Sequence, residues 1–250
     1  MLVNIILFTA DEISAPLPHS DPRAAHILDV LRRRVGDTFD AGLIDGPRGK
    51  GTLVAVTPGA LALAFAWDAA PPPPPPPIAL IVGLPRPQTA RKILNEATAL
   101  GVAEIHFAAT GRGEPSYALS TLWSTGEWRR HLVAGAAQAF CTRIPRVTWT
   151  QTLPEAFAAL SADAIRIALD NYEAPQSLSR FLASLPPRSA HEPPRPLVLA
   201  LGSERGWTAA ERDLFRASGC VLAHLGPRVL RTETAAIAAV TLARAHLGLM

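Results

Sequence analysis

Leu225-Gly226-Pro227-Arg228-Val229-Leu230-Arg231-Thr232-Glu233-Thr234-Ala235 joins two segments of opposite character. Before it, Cys220-Val221-Leu222-Ala223-His224-Leu225 has the length and apolar content of a buried strand. After it, Ala235, Ala236, Ala238, Ala239, Ala243 and Ala245 mark a helix that starts after Thr232 and runs nearly to the C-terminus. Gly226 and Pro227 break the strand, so the stretch reads as strand, turn, helix. The small side chains of that helix suit close backbone approach, at a subunit interface, in a tightly threaded core or in a plain buried helix.

Working outward, the same alternation recurs. Leu197-Val198-Leu199-Ala200-Leu201 is an apolar strand followed by Gly202-Ser203-Glu204-Arg205-Gly206. Thr208 and Glu211 form a capping box that opens a helix ending at Gly219. Ile165–Leu169, Glu104–Phe107 and Ile78–Val82 are further strands. The spacing predicts a helix over residues 88–100, with Ile93, Leu94, Ala97 and Leu100 inward and Gly101 just past its end. A second is predicted over Trp123–Phe140, with Trp128, Leu132, Ala136 and Ala139 near one face. Strands alternating with helices predict an α/β domain with a mainly parallel sheet.

Pro71 to Pro77 are seven consecutive prolines, which form neither a helix nor a central strand. They read as a polyproline II linker, so the chain divides into residues 1–70, 71–77 and 78–250. The first block is short and strand-rich. Thr38–Ile44, Thr52–Val56 and Leu61–Phe65 read as strands. His26–Leu31 suggests a helix between residues 22 and 34, ending in Arg32-Arg33-Arg34. A small β-barrel carrying one helix is expected there.

Bulk properties narrow the setting. The chain has 250 residues, 24 basic against 21 acidic, for a formal net charge of +3. Residues 1–70 hold 6 basic and 8 acidic residues, whereas 71–250 hold 18 and 13, so the basic excess lies in the second block. Only Lys50 and Lys92 are lysines; arginine makes the planar contacts that phosphate and base edges favour. Cys141 and Cys220 are far apart, with no Cys-x-x-Cys spacing, which argues against a zinc site and for a reducing compartment. The apolar start Met1–Phe8 is interrupted by Asp11 and Glu12 and lacks a basic leader. No apolar stretch reaches membrane-spanning length, and a cytoplasmic location is expected.

Two loops follow predicted strands at the ends where α/β sheets bind ligands: Gly202–Gly206 and Gly226–Arg231. Spacing alone leaves them as either ligand loops or ordinary strand-to-helix turns. Gly83-Leu84-Pro85-Arg86-Pro87 does not match a dinucleotide-binding loop, and neither a P-loop nor a Gly-x-Ser-x-Gly nucleophile elbow is present. A hydrolase using Ser203 and His224 remains open, without a supporting motif.

The run Gly226–Thr234 closely resembles the C-terminal signature of the bacterial 16S ribosomal RNA (uracil-N3) methyltransferase family. His26–Arg32 followed by Val35-Gly36-Asp37 resembles that family's N-terminal PUA-like domain. Leu100-Gly101-Val102, and Gln138 with Arg143-Ile144-Pro145, match further family patterns in the expected order. Departures are local. The family usually has Gly-Pro-Glu-Gly-Gly where this chain has Gly-Ser-Glu-Arg-Gly at 202–206, and a Glu where Ala99 stands.

The resemblance implies a PUA-like RNA-binding β-barrel, then a SPOUT domain with a trefoil knot that dimerises through its C-terminal part. It implies S-adenosylmethionine as methyl donor and 16S ribosomal RNA of the small subunit as substrate. By similarity, Leu201, Gly202, Ser203, Glu204, Leu225, Gly226, Val229 and Leu230 line the cofactor, mostly through main chain. Arg231 is the candidate to stabilise charge on a uracil carbonyl. Glu233 or Glu204 is the candidate base or the group that orients Arg231. Glu233 at a helix start also fits a plain dipole effect. For RNA, the candidates are Arg23, His26 and Arg32 in the first block, and Gln138 and Arg143 in the second. A non-catalytic RNA-binding protein of the same fold, with Arg205 as the feature favouring it, and a methyltransferase acting on another RNA are the alternatives.

Overall fold

The structure, a computed structural model, describes residues 4–186 and 193–250. The chain forms two compact units. The first comprises Met1–Pro74 with Val133–Ile144, the second Pro75–Leu132 with Pro145–Met250. The division falls inside the proline run. Val133–Ile144, expected with the second block, belongs to the first unit.

In the first unit, strands β1 (Ile6–Phe8), β2 (Leu17–Pro18), β3 (Thr38–Leu43), β4 (Arg48–Val56) and β5 (Ala60–Trp67) form one sheet in the order β1-β3-β4-β5-β2. β1 runs parallel to β3, and the other pairs are antiparallel. The N-terminal apolar run is explained by β1. Successive side chains of a strand point to opposite faces. Ile6 and Phe8 enter a core with Leu17, Ile27, Phe39, Leu53 and Leu61. Ile5 and Leu7 face the other way, onto Ala136, Val133, Ala137, Phe140 and Ile144. Burial on both faces requires four apolar residues in succession, and it draws 133–144 into this unit.

The helix expected between residues 22 and 34 is shorter. Asp21 caps α1 (Pro22–Ala25) by accepting the Arg23 N–H, and the chain then widens into a π-helical turn over His26–Val30. It ends at Arg32, whose φ is +52°. Arg23 holds this corner. Its guanidinium donates to Asp21, to Glu12 and to the Leu7 carbonyl, and stacks 4.9 Å from the Phe8 ring centre. The hydrogen bonds from Arg23 hold the carboxyls of Glu12 and Asp21 below their ordinary values, against the opposing effect of burial. Carboxylates depressed on folding add stability above their unfolded pKa, and that stability is lost as pH falls through the folded value. Arg23→Met is therefore expected to cost about 1–3 kcal/mol at pH 7, towards the lower end because Glu12 is part-exposed. Urea midpoints should show that deficit shrinking below about pH 4, where both carboxyls take up protons. An equal deficit at pH 7 and pH 3 would mean that the side chain acts by packing instead.

The second unit is built on six parallel strands: β6 (Ile78–Gly83), β7 (Glu104–Ala109), β8 (Arg146–Thr152), β9 (Ile165–Leu169), β10 (Leu197–Leu201) and β11 (Val221–Ala223), in the order β11-β9-β10-β6-β7-β8. Every pairing is parallel. β6 and β10 are buried at every position, as strands covered on both faces must be. Ala79, Ile81, Val198 and Ala200 meet Phe157 of α5 (Leu153–Ala158) and Phe215 of α7 (Ala209–Ala217) in one core cluster. α8 (Thr232–His246) packs on β10 and against α2 (Pro87–Ala99) and α6 (Leu178–Ser184).

The helix predicted over Trp123–Phe140 is two pieces, α3 (Thr121–Ser124) and α4 (Glu127–Gln138). Gly126 between them takes a φ of +72°, a left-handed conformation that ends the first helix. No helix among the described residues is long and apolar enough to cross a membrane.

Candidate active site

Parallel strands all present their C-terminal ends to one edge of the sheet, where loops can converge on a ligand. Here the loops after β9, β10 and β11 and the β6–α2 connection line one cleft of about 1070 Å³. Leu201, Gly202, Ser203, Glu204, Leu225, Val229, Leu230, Arg231 and Glu233 all line it. Gly226 lies in the loop between them and is not part of the lining.

The β10 loop is a tight turn. Gly206 donates its N–H to the Ser203 carbonyl at 2.9 Å and takes a φ of +66°, so the left-handed position falls on a glycine. A Cβ at Gly202 would come within 2.8 Å of the Gly206 Cα. Arg205, where the family pattern has glycine, does not take a positive φ. Its side chain is exposed, and its carbonyl accepts a hydrogen bond from Arg112 Nη1 at 3.0 Å. The substitution is therefore accommodated without strain. Glu204 Oε1 accepts the N–H of Arg86, the residue capping α2, at 3.0 Å, which latches the β10 loop to the β6–α2 connection. Trp207 is buried and donates to the Leu169 carbonyl at 2.9 Å, tying the same loop to the end of β9.

The β11 loop is held differently. Gly226 donates its N–H to His224 Nδ1 at 3.0 Å. That bond makes Nδ1 an acceptor and assigns the proton of the neutral ring to Nε2. The main chain of His224 is paired with Gln176 and Leu178. Ser203 Oγ is buried with no hydrogen-bond partner among the described residues, so it is not engaged by His224. A serine–histidine hydrolase lacks its nucleophile–base contact here. Beyond Gly226, Val229 is 84% exposed at the lip of the cleft, and Arg231 caps α8 with its side chain exposed. Glu233, in the first turn of α8, receives a hydrogen bond from Lys92 Nζ of α2 at 3.0 Å. Burial pushes its carboxyl up. Hydrogen bonds from Lys92 and its own N–H, with the charges of Lys92 and Arg231, outweigh that and hold it below the ordinary value. A carboxylate so paired is a weak proton acceptor and a good anchor for the cations beside it.

Sequence reasoning missed a third loop, Leu169-Asp170-Asn171-Tyr172, and the cations Arg86 and Lys92, all of which line the cleft. The signal was available for the loop, since it directly follows the apolar strand Ile165–Leu169. Asp170 is buried, accepts the N–H groups of Tyr172 and Glu173, and pairs with Arg212 Nε of α7 at 2.7 Å.

All five residues expected to meet RNA fall in the first unit, including Gln138 and Arg143, expected in the second block. Arg32 and Gln138 are exposed, and His26 is half-buried. The guanidinium of Arg23 is taken up by the fold, as described above. Arg143 donates to the carbonyls of Asp45 and Pro72.

The sequence model of the RNA methyltransferase domain matches residues 72–244. A ribosomal RNA small subunit methyltransferase E of Treponema pallidum is 35% identical over 98% of this chain and 92% of its own. Its counterpart in Borreliella burgdorferi, ribosomal RNA small subunit methyltransferase E 1, is 25% identical over 95% of each chain. Two solved structures share the fold. A ribosomal RNA small subunit methyltransferase E from Neisseria gonorrhoeae, bound to S-adenosyl methionine, superposes with a TM-score of 0.76 at 21% identity, covering 96% of this chain and 97% of that one. A methyltransferase from Legionella pneumophila with the same bound cofactor gives 0.77 at 22% identity, covering 97% and 98%. With its cleft-lining loops inside the matched segment, this chain belongs to the RNA methyltransferase family.

Proposed function

We propose that the chain methylates N3 of a uridine in the 16S ribosomal RNA of the small ribosomal subunit, with S-adenosylmethionine as donor. The observation that carries this reading is the convergence of Gly202–Gly206 and Gly226–Arg231 on one cleft, in a chain of this family. The residues present fit the donor. Leu201, Leu225 and Leu230 offer an apolar lining, the tight turn at Gly202–Gly206 keeps backbone at the surface, and Ser203 Oγ is a buried hydroxyl without a partner among the described residues. When bound, the sulfonium supplies an electrophilic methyl group. The chain must hold the uracil nitrogen aligned and offset the charge left when N3 loses its proton. Arg231, with no partner for its guanidinium among the described residues, is the group we assign to a uracil carbonyl. Glu233, fixed by Lys92, orients it. Glu204 is latched to Arg86 and holds the cofactor loop.

Finer features belong to the same proposal. The first unit is read as a PUA-like RNA-binding barrel, supported by its small mixed sheet with one short helix. Residues 1–70, 71–77 and 78–250 are read as that domain, a polyproline linker and a SPOUT domain. A trefoil knot is supported by β10 lying between β9 and β6, with α8 returning over β10 after the edge strand β11. A homodimer through the second unit is supported by exposed Ile237, Leu249 and Met250 on and after α8. A cytoplasmic location follows from the substrate.

Calorimetry with S-adenosylmethionine, and mass spectrometry of ribosomal RNA from cells with and without the gene, test this reading. We expect micromolar-range or tighter binding and loss of one methyluridine from the small-subunit RNA. Absence of donor binding would leave a non-catalytic RNA-binding protein. Loss of a methyl group from a different RNA would keep the reaction and change the substrate.

A further inference from the structure

Tyr172 is unusual in this molecule. It is 79% exposed, on a loop that lines the cleft, and among the described residues it is the one aromatic of the exposed large hydrophobic side chains. The loop that carries it is rigidly built. The Asp170 carboxylate, buried beneath it, accepts the Tyr172 N–H at 2.8 Å and the Glu173 N–H at 2.7 Å. The same carboxylate pairs with Arg212, whose guanidinium carbon lies 5.2 Å over the Tyr172 ring centre. Arg212 is itself nearly buried. One ring face is thus backed by a fixed cation, while the rest of the side chain stands open at the cleft.

An exposed ring held this way is a stacking platform. A planar group laid on the open face gains dispersion and hydrophobic contact without having to order the ring first. From this geometry we infer that Tyr172 stacks a nucleobase of the RNA substrate as it enters the cleft. This rests on the proposed RNA methylation at that cleft. The RNA is favoured over the adenine of the donor by the position of the ring. It stands out in solvent rather than among the half-buried and buried backbone of Leu201–Ser203, Leu225 and Gly226, where the donor is expected. The exposed guanidinium groups of Arg86, Arg205, Arg228 and Arg231 line the same cleft and suit the phosphates on either side of such a base.

The experiment compares the full-length wild type with Tyr172→Ala and Tyr172→Phe. Three quantities are measured: affinity for a fluorescein-labelled, uridine-rich single-stranded RNA, affinity for S-adenosylmethionine by calorimetry, and kcat and KM with small-subunit ribosomal RNA. Loss of one stacked base is expected to weaken RNA binding by about fivefold to about 150-fold in the alanine variant. Phenylalanine should restore most of it, because the ring and not the hydroxyl does the stacking. Donor affinity should stay within about twofold, and the slope of log affinity against log salt should not change, since no phosphate contact is removed. KM for RNA should rise more than kcat falls. RNA binding unchanged in Tyr172→Ala would overturn the inference. So would a loss confined to donor affinity, which would place adenine on the ring, or a loss accompanied by an altered oligomeric state. A wild type that neither binds the donor nor methylates RNA would instead overturn the proposed function, so the two failures are distinguishable.

Discussion

Arg231→Ala is expected to lower kcat by about 10²–10³-fold while leaving the protein folded and donor binding nearly intact. The size follows from what the guanidinium is asked to do. Deprotonated uracil spreads negative charge onto the carbonyl oxygens flanking N3. A cation placed beside one of them, in a cleft lined by both apolar and charged side chains, acts on charge that is larger in the transition state than in the ground state. The expected tolerance of the fold also follows from the structure. Arg231 is exposed, its backbone caps α8 in an extended conformation, and its side chain has no hydrogen-bond partner among the described residues. Exposed side chains of that kind usually change stability by less than about 0.5 kcal/mol.

Arg231→Lys adds discrimination. An ammonium keeps the charge but loses the planar pair of donors, so it should recover only part of the rate. Steady-state kinetics on ribosomal RNA, a thermal melt and donor calorimetry together give the answer. Full activity in the alanine variant would remove Arg231 from the chemistry. A large loss of donor affinity would reassign it to donor binding. Glu233 provides an internal check. Arg231 is one of the charges that lower its carboxyl, yet Lys92 remains bonded to it in the variant. Glu233 should therefore stay ionised near neutral pH, and the variant should not acquire a new pH dependence there.

What the sequence reveals of this molecule tracks how each element is buried. The apolar pattern predicts Ile165–Leu169 and Leu197–Leu201 as strands, and β9 and β10 have those bounds. Both lie inside the sheet; β10 is apolar throughout, and in β9 only Arg166 interrupts the run. β8 is at the sheet edge and reads Arg-Val-Thr-Trp-Thr-Gln-Thr, with half-buried and exposed positions interspersed. Such a strand carries no continuous apolar signal, so it escapes a search tuned to buried strands. α6 escapes for a related reason, since only Leu178 and Leu182 of its seven residues are buried. The break at Gly126 is visible only as a glycine, because the apolar periodicity continues across it. Residues 133–144 look like part of the second block in order of sequence. They join the first unit because Ile5 and Leu7 need cover on the second face of β1.

The candidate site divides the same way. Gly202–Gly206 and Gly226–Arg231 are legible because a glycine-bearing turn after an apolar strand is a local pattern. The glycine that the first turn demands is Gly206, however, and only backbone conformation shows that Arg205 sits at a tolerant position. Arg23 illustrates the opposite error. Its charge suggests a phosphate contact, but nearby carboxylates and a carbonyl occupy the guanidinium, and nothing in the spacing of Glu12, Asp21 and Arg23 makes that evident. The third loop depends on a pair 42 residues apart in sequence, Asp170 and Arg212, which no local pattern connects.

That pair carries the second large expectation. Asp170→Ala should destabilise the second unit by about 3–5 kcal/mol, seen as a lowered urea midpoint with little change in slope. The side chains of Asp170 and Arg212 are 2% and 8% exposed, so water cannot replace either partner cheaply. Removing the carboxylate leaves a buried guanidinium with, among the described residues, only Glu173, 3.7 Å away, as an opposite charge. It also strips the acceptor from two loop N–H groups. Asp170→Asn separates these costs. Its single amide oxygen can cap the Tyr172 and Glu173 N–H groups or accept from Arg212, but not both, so an intermediate loss is expected. Replacing both partners, with Asp170→Ala and Arg212→Met, should recover much of the deficit, because no charge is then stranded. A double-mutant cycle on these variants measures the coupling directly. If Asp170→Ala stays within about 1 kcal/mol of wild type, below the range for a broken buried pair, the pair does not anchor the loop. The same variants reach the RNA site by a separate route. Once Arg212 and the loop N–H groups lose their common partner, the Tyr172 ring is no longer held, and RNA affinity should fall towards that of Tyr172→Ala even where the protein is fully folded.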